Sequence, residues 1–61
     1  MNKDLKRAII NWLLDNENRW MRVIECYREF RPYIYDIKGN YLIGGKEVSD
    51  FISQADKFLY R

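Results

Sequence analysis

Sixty-one residues form one domain, 1–61, with little core to spare, since a chain of this size buries only roughly 60% of the surface it exposes when unfolded. One cysteine and no histidine exclude an internal disulfide and remove the usual ligands of a structural zinc, so stability falls to packing or to association. Eleven Lys and Arg against nine Asp and Glu leave a net charge of +2, with the signs interleaved, which disfavours both a basic nucleic-acid arm and an acidic DNA mimic.

Two Trp, five Tyr and three Phe supply large apolar area, with Trp12, Trp20, Phe30, Phe51 and Phe58 each able to bury on the order of 150–250 Å². No apolar run approaches the roughly 18–20 residues of a membrane span, and the N-terminal stretch lacks a small-residue cleavage site. A single unpaired cysteine suits a reducing compartment, so the expected location is cytoplasmic.

In residues 4–14, Leu5, Ala8, Ile9, Trp12 and Leu13 recur at three and four, the period of an amphipathic helix. Ile10 and Leu14 lie outside that stripe and widen the apolar sector past half the circumference. A helix this apolar needs more than one neighbour, which points to Ile10 and Leu14 as self-association residues.

A second stripe follows in Trp20, Val23, Ile24, Tyr27 and Phe30, and "DNEN" at 15–18 separates it from the first without Gly or Pro. Two arrangements follow from this. Either 15–18 is a turn between two helices, or one long helix runs over 4–31, with Ile9, Leu13, Asn16, Trp20, Val23, Tyr27 and Phe30 as a coiled-coil seam. In the second arrangement Asn16 is the polar seam residue that sets register and oligomeric state, and it joins the self-association set. Pro32 ends the helical region near Arg31.

"YIYDIKGNYLI" then places β-branched and aromatic residues on both sides of Asp36-Ile37-Lys38-Gly39, with Asp and Gly where a type I turn prefers them. This predicts a β-hairpin pairing Tyr35 with Tyr41, Ile34 with Leu42 and Tyr33 with Ile43. One face of it carries Tyr33, Tyr35, Tyr41 and Ile43, the expected partner-binding surface, because tyrosine offers large amphipathic area at low rotamer cost. Gly44-Gly45 breaks the strand. Val48, Phe51, Ile52, Ala55, Phe58 and Leu59 then make the cleanest helical stripe, with Ser49 and Asp50 at its start satisfying free N–H groups.

The fold class so predicted is α+β, helix-helix-β-hairpin-helix, with the helices packed around Trp12, Trp20 and Phe51. Residues 36–47 also resemble an EF-hand calcium loop, with Asp36 and Glu47 at its ends and Asn40 and Ile43 inside it. The resemblance fails at Lys38, a cation where an oxygen ligand belongs, and at Tyr41, which replaces the turn glycine. No metal and no cofactor is therefore expected.

Catalysis has little to build on. Histidine is absent, Ser49 and Ser53 lack a base signature, Cys26 sits at the border of an apolar stripe, and Gly44-Gly45-Lys46 lacks the glycine spacing of a phosphate loop. The favoured function is a non-catalytic protein-interaction module, expected to act as a homodimer that docks onto an unidentified protein target. Its size and its Asn, Ile, Lys and Tyr usage fit an inhibitor or adaptor from a phage or mobile element. The alternative is a nucleic-acid-binding regulator that uses Arg19, Arg22, Arg28 and Arg31 of the second helix, although alternating Glu25 and Glu29 fit intrahelical ion pairs instead.

Overall fold

Asn2 opens the first helix: its side chain accepts from the Asp4 N–H at 2.6 Å, satisfying one of the donors that a helix start leaves free. The chain, described over residues 1–59 in a computed structural model, continues as α1 (Lys3–Asp15), α2 (Arg22–Glu29), a 3₁₀ turn (Arg31–Tyr33) and α3 (Gly45–Leu59). Each of the three helices packs on the other two. Ile9 and Leu13 of α1, Cys26 of α2, Phe30 and Ile34 after it, and Val48 and Ile52 of α3 form the core.

Asn16 explains why α1 stops. Its amide nitrogen donates to the Trp12 carbonyl at 2.8 Å and its backbone N–H to Trp12 and Leu13, so it closes the last turn as a C-cap. A single helix over 4–31 is therefore not formed, and the seam role assigned to Asn16 disappears with it. The chain resumes helix at Arg22, two residues past Trp20, which is 97% exposed. The expected packing around Trp20 is corrected accordingly, whereas Trp12 and Phe51 do pack against the core.

The buried face of α2 keeps Val23, Tyr27 and Phe30 of the expected stripe and departs from it at Trp20 and Ile24. Arg22 and Cys26 point inward, with Phe30 one turn further on, while Ile24 is about half exposed. An arginine can occupy that line because Asp56 of α3 meets it there.

The α+β expectation is overturned: among the described residues there is no strand, only one antiparallel bridge between Tyr35 and Tyr41. Pro32 decides this. Its fixed φ suits the first turn of a helix, and it stands in a 3₁₀ turn that carries Tyr33 and leaves Ile34 at φ −108°, ψ −47°. The incoming strand thus has two of its three residues in helical conformation. The turn itself is as expected, with the Gly39 N–H on the Asp36 carbonyl at 3.1 Å and Gly39 at φ +88°.

α3 begins three residues before Val48, so Ser49 lies within the helix and not at its start. Gly45, the first helical residue, is buried against the Ile34 backbone, and a Cβ there would collide with the Ile34 carbonyl. That close approach locks the 31–44 segment onto the helical layer.

Candidate functional site

The loop between the 3₁₀ turn and α3 is held from inside by one carboxylate. Asp36 Oδ1 accepts from the Lys38 and Asn40 N–H groups, each at 2.9 Å, and the Asp36 N–H donates to the Asn40 carbonyl at 2.9 Å. Leu42 N–H reaches the buried Ile34 carbonyl at 2.9 Å, and Gly45 N–H the Leu42 carbonyl at 2.8 Å. The backbone is thereby pinned at both ends, although its apolar side chains point away: Ile37 and Ile43 are fully exposed.

The expected tyrosine face divides. Tyr35 and Tyr41 stack with ring centroids 4.9 Å apart, and the Arg31 guanidinium lies 5.1 Å from the Tyr35 centroid. Hydrogen bonding to Tyr41 raises the pKa of the Tyr35 hydroxyl above the usual phenol value, with Arg31 pulling the other way. Tyr33 instead tilts against Phe30 at 6.3 Å, and Ile43 is fully exposed.

The four arginines do not share a face. Arg19 pairs with Glu25 at 3.1 Å, six residues apart, so the expected three-or-four spacing of intrahelical pairs is not what forms. Arg22 is buried at 6% exposure; its Nε donates to Asp56 Oδ1 at 2.6 Å and its Nη1 to the Glu17 carbonyl at 3.0 Å. Arg28 and Arg31 are exposed and line one open groove with Pro32, Tyr35, Ile37 and Leu42.

Of the self-association residues, Ile10 lines a second groove between α1 and α3 with Phe51, Ala55, Phe58 and Leu59, and Gln54 is its only polar wall among the described residues. Phe58 is 77% exposed there, and Leu14, on the following turn of α1, is 47% exposed. Asn16 caps α1 and accepts the Arg19 N–H on its carbonyl at 3.0 Å in the connection to α2.

Cys26 is fully buried, not at a border, and burial, then Asp56 and Glu29, push its thiol up to about 12. It remains protonated and enclosed at neutral pH, which is the opposite of an activated nucleophile. Among the described residues no cluster of His, Cys, Asp or Glu could hold a metal ion, and no helix is long and apolar enough to cross a membrane.

The residue that sequence reasoning missed is Asp56. Val48, Ile52 and Asp56 are spaced by four, which sets Asp56 on the buried line of α3 and signals an inward partner of opposite charge. No protein-family model, curated protein or solved structure matches the chain.

Proposed function

We propose that this chain is a non-catalytic docking module that works by occupying a surface of another protein, as an inhibitor or adaptor does. The observation that carries this reading is the pinned loop: Ile37 and Ile43 stand fully in water on a backbone fixed by Asp36 and Ile34. Apolar side chains on a rigid loop lose little entropy on association, so their burial converts into affinity more fully than burial of a mobile segment. The enclosed Cys26 thiol and the absence of histidine support the non-catalytic part of the reading.

A second copy of the chain is the partner we propose for the groove between α1 and α3. Among the described residues its walls carry no charge, and the exposed Phe58 ring of one copy can fill the Ile10 and Phe51 groove of the other by two-fold symmetry. The nucleic-acid reading has less support, because Arg22 is committed to the interior and Arg19 to Glu25.

Site-specific photo-crosslinking in cells tests the docking reading. A benzophenone side chain in place of Ile43 should give a discrete heteromeric adduct, and the same group in place of Lys3 on α1 should not. Equal labelling from both positions, or none from position 43, would overturn the reading.

A further inference from the structure

Three ion pairs join described residues, and they use the Met1 amino group, Arg19 and Arg22. Arg28 and Arg31 take no part in them, although both border an apolar groove. Both arginines line it together with Pro32, Tyr35, Ile37 and Leu42. Arg31 is placed by its seat over the Tyr35 ring at 5.1 Å, so it is held as a fork and not left to sweep solvent. Asp36 also lines the groove, but its Oδ1 is engaged by the Lys38 and Asn40 N–H groups, so this carboxylate already has an internal use.

We infer that the groove bounded by Arg28 and Arg31 binds an acidic peptide segment of the partner, two carboxylates meeting the guanidinium groups and one large apolar side chain lying on Tyr35, Ile37 and Leu42. The inference rests on the docking reading and narrows it to a partner chemistry. Charge complementarity selects the occupant. Paired arginines beside a hydrophobic floor favour carboxylates next to an aromatic or aliphatic anchor, because each guanidinium can make two parallel hydrogen bonds to a carboxylate. A phosphate backbone is served less well, since a strand of nucleic acid needs basic groups continued along its path and Arg22 is not available to continue it.

The test uses fluorescein-labelled ten-residue peptides that carry two acidic residues and one Leu, Phe or Trp at every spacing, each beside a counterpart with lysines for the acids. A single-stranded mixed-sequence oligonucleotide is titrated in parallel. Anisotropy should show micromolar binding of a subset of acidic peptides, no binding of their lysine counterparts, and at least tenfold weakening in Arg28→Glu and Arg31→Glu, with Arg31→Lys intermediate. Acidic peptides that bind no better than their lysine counterparts would overturn the inference on the unaltered protein, before any variant is made. Unchanged binding in both charge reversals would overturn it too, as would an oligonucleotide that binds tighter than every peptide and is lost in the same variants. If no acidic peptide binds while position 43 still crosslinks, the docking reading stands and the acidic occupant falls. Loss of both results removes the two together.

Discussion

Arg22 and Asp56 form a nearly enclosed ion pair, with Nε to Oδ1 at 2.6 Å, that ties the first turn of α2 to the last turns of α3. Removing one partner of such a pair leaves the other charge without its counterion in a poorly solvated place, which typically costs about 3–5 kcal/mol, whereas replacing both by apolar groups is often neutral. Asp56→Ala or Arg22→Ala should therefore leave the chain largely unfolded at 25 °C, as followed by circular dichroism. The double change Arg22→Met with Asp56→Leu should restore a cooperative urea transition. Single variants with unaltered midpoints would show that the pair does not hold the helices together.

Cys26 gives a pH dependence with a fixed sign. Its thiol is raised from 9.0 to about 12, chiefly by burial. The folded state thus keeps a proton that the unfolded state releases, so the stabilisation is complete below pH 9 and is lost as the pH rises through the window to about 12. Melting temperature should fall over that window more steeply in the natural protein than in Cys26→Ala. A thiol reagent at neutral pH should label Cys26 only in denaturant.

Two glycines separate conformational strain from steric exclusion. At Gly39 a Cβ meets nothing but φ is +88°, so Gly39→Ala should cost about 1–2 kcal/mol and Gly39→Asn less. At Gly45 the added carbon strikes the Ile34 carbonyl, a backbone group that cannot swing aside. Gly45→Ala should lower the urea midpoint further than Gly39→Ala does, and the reverse order would mean that the 31–44 segment is not fixed to α3.

The proposed second copy in the groove that Ile10 shares with Phe58 predicts self-association. Sedimentation at micromolar concentration should show a species heavier than monomer, and Phe58→Glu or Leu14→Glu should return it to monomer. A strictly monomeric protein that neither change affects would remove the second copy as the occupant of that groove.

α1 and α3 were legible because three-and-four spacing over a long window identifies a helix whatever its neighbours. α2 was legible as an element, and Val23, Tyr27 and Phe30 of its stripe do face the core, but its most buried line was not legible. The large residues Trp20 and Ile24 marked its apolar stripe, but the interior takes Arg22 and Cys26, and an arginine is recognisable as inward only together with Asp56, thirty-four residues away. The hairpin failed for a different reason. Tyr33 and Ile34 favour strands by side chain, yet Pro32 stands inside a 3₁₀ turn that includes the first of them, and a local backbone constraint prevailed over a propensity that depends on cross-strand neighbours. The turn at Asp36 and Gly39 was readable because its chemistry is local. Of the site, Tyr35 and Tyr41 were correctly paired, whereas the association of Arg28 and Arg31 with Ile37 and Leu42 depends on how the loop folds back, which periodicity does not encode.

Trp20 lies in water while Trp12 is packed against the core, and the chain has no other tryptophan. The molecule therefore carries two optical reporters of one chemical type, distinguishable by quencher. Iodide or acrylamide reaches the Trp20 indole first, so a ligand that covers the start of α2 will shield the red-shifted part of the emission while the blue-shifted part, which follows the fold, stays constant.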